Sequence, residues 1–507
     1  MKSLYLASLL LFPSLLGAQP GSLDPSFSSD GYMTHGFFLE DDFGRALVEQ
    51  PDGRILVAGN SFQQGSSWFG VMRLLGDGSL DLSFDTVGYT TVQPGGNNAA
   101  CFAMALQPDG KIVLAGYANN GLQNDAALVR LLPDGQPDPS FGTGGIVQTT
   151  LAPVGIELYA IAIQPDGKIV VAGNGFDGVN GEVIVLRYLS DGSLDPSFAG
   201  QGYATIASGD NGVAYGMALE SDGDIVVVGY VESSGGPDLL LAHFLGNGTL
   251  DGGFGAGGVV ITDLGLTWER LHAVALDNDQ SIVVAGTVGS GFVDLDLFVA
   301  RYLTNGTPDA SFDGDGQVAI DVQGGEDGAQ ALAIQADGKI LVSGHAEVSG
   351  QVRCAVARLE QTGGLDMGFG VNGLVTSALG PVSSRAQAIT IQQDGKILVA
   401  GSAQDNLGQD AVVARYFSGL ETGIPERAEA AGLRVFPVPT SDRLQAELPA
   451  GERGGRWQLR DAAGRSVMQG DAQGMYTLVI EVHELPPGTY SLQWSTQQGT
   501  RTGLFVR

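Results

Sequence analysis

One pattern of apolar and polar positions recurs along most of this chain. In residues 138–194 a short β-rich run, "GIVQTT" (145–150), precedes "YAIAIQ" (159–164), the turn "PDG", "KIVVAG" (168–173) and "VIVLRYL" (183–189). We label these runs A to D. Pro-Asp-Gly predicts a tight hairpin between B and C: proline presets φ, Asp tolerates the next position, and Gly takes the positive φ that closes the turn. "IVVA" is continuously apolar, as a strand covered on both faces requires. Helix-period segments and helix caps are missing from the pattern.

Two landmarks set the period. The glycine that ends run C recurs as Gly59, Gly116, Gly173, Gly229, Gly286, Gly344 and Gly401. The phenylalanine of "LDPSF" recurs as Phe27, Phe84, Phe141, Phe198, Phe254, Phe312 and Phe369. Both series advance by 56 to 58 residues. Four antiparallel strands per unit and seven units of about 57 residues describe a seven-bladed β-propeller over residues 20–418. A ring also covers the edges of each small sheet. An open β-solenoid fits less well, because its coils are usually shorter and lack a hairpin at each step.

The recurring "LDPSFGTGG", "AIQPDGKIVVAG" and "VLRYLSDGSLDPSF" resemble the delta-60 repeat family of secreted bacterial proteins, across nearly all of residues 22–418. That resemblance implies repeat structure and export, and no established activity.

After Tyr416 the pattern stops. Residues 419–433 read as a linker, and 434–507 alternate in short runs such as "YSLQW", which predicts a small immunoglobulin-like β-sandwich. Phe436-Pro437-Val438-Pro439, Asp461 with Gly464-Arg465, and Leu485-Pro486-Pro487-Gly488-Thr489-Tyr490 resemble the C-terminal sorting domain of the type IX secretion system. Val438 stands where that family usually has Asn. The resemblance implies the type IX secretion machinery as a partner of residues 434–507. At the other end, "MKSLYLASLLLFPSLLGAQ" has Lys2, an apolar stretch and small residues, the layout of a secretory signal peptide over residues 1–19. The expected location is therefore secreted or on the outer cell surface. No later segment has the apolar length of a membrane span.

Composition narrows the partners. The 78 glycines suit a β-protein rich in tight turns, and a net charge of −31 argues against nucleic acid and bare anionic membranes. The region 434–507 carries many Arg, so the excess acid lies upstream, and the two regions read as separate domains. A monomer is expected. Cys101 and Cys354 fall in distant repeats and are expected as isolated thiols.

Catalytic motifs are scarce. The five histidines, His35, His243, His272, His345 and His483, show no metal-ligand spacing, and GxSxG, CxxC and a phosphate loop are not found. Run D carries Arg73, Arg130, Arg187, Arg301, Arg358 and Arg415 at one position, and each "LDxSF" copy carries Asp. A catalytic group is not needed seven times, so these read as structural pairs of Arg with a turn carboxylate. "DGDG" (313–316) reads first as a turn and second as a calcium site; no other cofactor is expected.

The B–C turns and D–A links are nearly constant, and in an up-and-down blade they share one end. The A–B loops ("QPGGNN", "LAPVGIE", "DLGLTWE", "QGGEDG") and C–D loops ("YANNGLQND", "NGFDGVN", "VESSGGPD", "HAEVSGQ") vary and share the other. Loops on a rigid ring are where binding concentrates. Repeats four and five depart most: His243 replaces the run D arginine, and Gly252-Gly253 replace Pro-Ser. Trp268, Glu269 and Arg270, placed on an A–B loop just before His272, form the candidate ligand site, with the indole able to stack on a sugar or a cation. The expected function is surface recognition or adhesion, with a glycan or protein ligand on the varied face. A secreted lyase or glycosidase and a non-binding envelope protein are the alternatives.

Overall fold

A computed structural model describes residues 19–420 apart from 37–40, 64, 97, 152–154, 177–179, 207–210 and 292–293, and 434–506 apart from 437–442, 448–454, 462–464, 473–476, 484, 487–488 and 497–498. The expected signal segment, apart from Gln19, and most of the expected linker lie outside the described residues. Every regular element among the described residues is a β-strand. Two compact units divide near residue 422.

The first unit is a ring of seven four-stranded antiparallel sheets, a seven-bladed β-propeller. The phase of each blade differs from the A-to-D order of the sequence pattern. In blade three the sheet runs Gly155–Ile163, Ile169–Phe176, Gly181–Tyr188, Tyr203–Ile206, so run A of the next repeat is its outermost strand. The reason is local. The D–A link is a compact turn in which the Arg187 amide bonds the Gly202 carbonyl, folding run A back onto run D. The A–B connection then crosses to the next blade. Closure follows from this phase: Tyr32–His35, the first run A, pairs with Gln409–Tyr416 and completes blade seven.

Run C is buried on both sides, as its apolar pattern predicts. Ile169 and Val171 enter the core shared with blade two, and Val170 and Ala172 enter the core shared with blade four. Each of the Ile and Val side chains contributes about 1.5–3 kcal/mol of burial, so one strand stabilises two blade interfaces. All seven "LDxSF" phenylalanines are fully buried.

The run D arginines connect neighbouring blades. Arg73 donates through Nε to Asp81 (2.7 Å), through Nη2 to Ser83 (3.2 Å) and through Nη1 to the Pro133 carbonyl of the next blade (2.6 Å), with its guanidinium 4.7 Å from the Phe84 ring centre. Arg415 repeats the arrangement across the closure, on Asp24 and Ser26. His243 cannot: its ring stacks on Phe254 and lies 3.3 Å from both Asp251 and Glu220, all within its own blade.

The second unit has a three-stranded sheet and a four-stranded sheet. They share a core of Leu444, Leu459, Leu478, Ile480, Val482, Tyr490 and Leu492. Of the sorting-signal resemblance, Pro437, Val438, Pro439, Gly464, Pro487 and Gly488 lie outside the described residues. The Tyr490 hydroxyl donates to the Pro486 carbonyl at 2.7 Å.

Candidate functional site

The first strand of each sheet packs against the first strands of its neighbours, which makes it the innermost of its blade. For blades one to seven these strands are Asp42–Glu49, Ala99–Leu106, Gly155–Ile163, Gly212–Leu219, Trp268–Leu276, Gly328–Ile334 and Ser383–Ile391. Each has a β-bulge at the same place. The bulged residues are Arg45, Phe102, Tyr159, Tyr215, His272, Gln330 and Gln387. A bulge turns one side chain out of the alternation that fills the blade interfaces.

The recurring run C glycine makes the bulge possible. A Cβ at Gly173 would lie 1.9 Å from the Glu157 carbonyl oxygen, and one at Gly59 would lie 1.7 Å from that of Phe43. Only glycine admits this approach of the inner strand. A landmark of the repeat is thus the device that aims one variable side chain per blade at the axis.

The bulged residues are half-buried, and successive contacts run from Gln387 through Arg45 round to His272. Arg45 Nη1 donates to Gln387 Oε1 at 3.1 Å, and its guanidinium lies 5.9 Å from the Phe102 ring centre. Phe102 to Tyr159, Tyr159 to Tyr215, and Tyr215 to His272 follow at 4.9, 5.1 and 5.0 Å between centres. One arc of the ring is therefore aromatic, and the other carries Gln330, Gln387 and Arg45. Burial, with the charges of Arg270 and His345, pushes the His272 imidazole down to about 3, so it is neutral at physiological pH. Burial also raises Tyr159, beside Glu157.

Two residues before each bulge, nearer the A–B loops, lies a second layer. Glu157 accepts from the Tyr159 hydroxyl at 2.5 Å and from Asn124 at 2.6 Å. Arg270 lies between the rings of Trp268 and Tyr230, 3.8 and 4.4 Å from their centres. Arg385 Nη1 is 3.2 Å from Glu326 Oε1. A cleft of about 370 Å³ opens beside Glu157, lined also by Asn124, Asn174 and the exposed Leu122 and Phe176.

The four sequence-predicted residues all lie on the innermost strand of blade five rather than on a loop. Strand alternation and the bulge separate them. Trp268 and Arg270 share a face and stack on each other, so the cation on the indole is the chain's own. His272 joins the channel ring. Glu269 is fully buried, and accepts amides of Leu264 and Leu266 at 2.8–3.0 Å, closing the A–B loop. It is a loop brace and cannot face a ligand. Arg45, Phe102, Tyr159, Tyr215, Gln330 and Gln387 were missed. Their signal is a single position of run B that varies among bulky residues immediately before a small Ala or Gly.

For a cation, "DGDG" forms a D–A turn in which Asp315 accepts the Gln317 amide at 3.1 Å. Among the described residues the one cluster with metal-capable geometry is Asp238, Asp263 and Glu269, whose oxygens lie within 4.8 Å of one another. Burial, reinforced by their neighbours, raises the carboxyls of Asp238 and Glu269. No helix among the described residues is long and apolar enough to cross a membrane.

Comparison with known proteins agrees with the blade count. Residues 50–84, 107–141, 164–198, 220–254, 278–312, 335–369 and 392–419 match the family described as a "Domain of unknown function (DUF5122) beta-propeller". No curated protein matches the chain. Among solved structures, a protein of unknown function from Dyadobacter fermentans is 12% identical, covering 76% of this chain and 97% of its own, with a TM-score of 0.42. The polysaccharide lyase Uly1 is 11% identical, covering 74% and 90%, at 0.43. Drosophila Semaphorin 2a is 8% identical, covering 92% and 97%, at 0.41. Likeness at this level says nothing of activity.

Proposed function

We propose that this protein, a propeller of seven DUF5122 repeats, is an exported recognition protein that binds a glycan at the channel mouth on its varied face. The observation that carries the reading is the asymmetric inner ring. Phe102, Tyr159, Tyr215 and His272 are placed in sequence on one arc, each aimed at the axis by a bulge that costs a ladder hydrogen bond. A purely structural ring has no need of five different residue types at its seven bulges. Aromatic faces beside amides and charged groups suit pyranose rings, whose C–H faces stack while their hydroxyls hydrogen-bond.

A carbohydrate-active enzyme is the second reading. It is favoured by one feature: a carboxylate-bonded tyrosine, Tyr159 with Glu157, shares the ring with a neutral imidazole, His272. Export would use residues 1–19, and residues 434–507 would act as an immunoglobulin-like sorting domain for type IX secretion, as the motif resemblances and that to the delta-60 repeat family imply. The protein would act as a monomer.

The test is a glycan array probed with the full chain, recording binding and product release together. Binding that is lost in Tyr159→Ala supports recognition. Product release assigns the enzyme reading instead, and silence in both channels overturns the two together. Deleting residues 434–507 should retain the protein inside the cell envelope of a type IX-competent host; secretion of the truncated chain refutes the tag.

A further inference from the structure

Within the propeller, positive charge is almost wholly committed to the repeat. Arg54, Lys111, Lys168, Lys339 and Lys396, beside the B–C turns, and the run D arginines all lie within 4.0 Å of the carboxylates of the "LDxSF" motifs. Outside those positions the cations between residues 42 and 416 are Arg45, Arg270, Arg353 and Arg385. Three of these four stand on innermost strands, in the bulge ring or in the layer above it.

Arg385 is paired with Glu326. Arg45 and Arg270 differ. Their guanidinium groups rest on aromatic rings, Arg45 on Phe43 at 5.4 Å and Arg270 on Trp268 and Tyr230, and their buried Nε atoms have no hydrogen-bond partner. Neither is ion-paired to a carboxylate among the described residues. The chain has 56 acidic residues against 25 basic ones, so carboxylates were abundantly available as partners. A half-buried guanidinium without an anion is costly to hold, because it cannot neutralise itself by losing a proton. Going round the ring, Gln330 and Gln387 lie between the blades that carry these two arginines, and Asn174 Oδ1 is a further buried acceptor without a donor.

We propose that the channel-mouth ligand is an acidic glycan whose pyranose rings carry carboxylates, seated with its ring faces on the Phe102–Tyr159–Tyr215 arc and its carboxylates towards Arg45 and Arg270, which flank that arc on blades one and five. This rests on the recognition reading above and specifies its ligand. A planar guanidinium already held by stacked rings presents its free N–H edge to a carboxylate with little further entropy lost. The amides of Gln330 and Gln387 and the carbonyl of Asn174 suit the hydroxyls of such a ring.

The experiment is isothermal titration of the full chain with hexasaccharides of galacturonate, glucuronate, guluronate and mannuronate. Each is compared with its methyl ester and with the corresponding neutral hexamer. At least one acid should bind ten-fold or more tightly than its ester, with the preference shrinking as salt rises. Arg270→Met and Arg45→Met should each shrink that preference, the acid's affinity falling towards the ester's. Tyr159→Ala should weaken acid and ester alike. Equal affinity of acid and ester, or an acid preference that survives both Arg270→Met and Arg45→Met, overturns the assignment while glycan recognition stands. If neither acidic nor neutral oligosaccharides bind, both readings fall. The ester comparison uses the unmodified protein, so a variant that fails to fold does not decide the matter.

Discussion

Replacing Arg73 by methionine tests whether the blades are joined by their arginines. The substitution keeps a long apolar stem over Phe84 but removes three hydrogen bonds, to Asp81, Ser83 and the Pro133 carbonyl of the next blade. Asp81 is only 5% exposed, so its carboxylate would be left in a poorly solvated place. Breaking a buried pair by deleting one partner costs about 3–5 kcal/mol. Arg54, 3.1 Å from the same oxygen, offsets part of this and favours the lower end. With about 2.1 cal/mol/K of unfolding entropy per residue over roughly 400 cooperating residues, Tm should fall by about 4 °C. Calorimetry of the full chain checks the shift, and a cycle with Asp81→Asn isolates the pair, with an expected coupling of about 2 kcal/mol. Arg301→Met, whose pair is more exposed, should cost less. A Tm change below about 1 °C for Arg73→Met, with no coupling to Asp81, would refute the inter-blade role.

At His243 the arginine connection is missing, and restoring it should stabilise the ring. His243→Arg would reach Asp251 and the Thr304 carbonyl of blade five, and should raise Tm by about 1–3 °C; no rise means that this interface does not lack a connection. The pairs should also weaken in acid. Asp138 is held down to about 2, where the bonds from Ser140 and the charges of Arg130 and Lys111 outweigh burial, against about 3.9 in an unfolded chain. Its stabilisation is therefore complete above pH 4 and fades as pH falls towards 2, measurable as a shrinking Arg130–Asp138 coupling. His272 acts at higher pH. The folded imidazole stays neutral down to about 3, whereas the unfolded one gains a proton near 6.5. The protein should lose about 1–3 kcal/mol relative to His272→Gln as pH drops from 6.5 to 4; an NMR titration placing the folded group near 6 would contradict the burial argument. Cys101 and Cys354 are buried, unpaired, and pushed up to about 12 by burial. A thiol reagent should leave both untouched in the native protein and modify both after unfolding.

The propeller was legible along the chain because its determinants are local and repeated. A Pro-Asp-Gly turn makes its hairpin wherever it stands, a run such as "IVVA" needs cover on both faces, and the spacing of glycine and phenylalanine counts the blades. The structural role of the run D arginines was legible for the same reason, since Asp81 and Ser83 follow Arg73 at short range. The site was legible only as a region. Strand B alone does not tell which of its residues faces the axis: Glu269 and Arg270 are adjacent, yet one braces a loop and the other lies between two rings. The register decided this. Gly286 lets the inner strand approach until a bulge forms at His272, and every later residue on that strand changes face. Closure decided the rest. The first run A completes the last blade, and only in the closed ring do Arg45 and Gln387, from opposite ends of the propeller, become neighbours. Sequence periodicity determines how many times the unit is used and how each hairpin turns. Contacts between side chains separated by hundreds of residues exist only once the ring has closed, so only the tertiary structure could place an aromatic arc and two unpaired guanidinium groups around one channel.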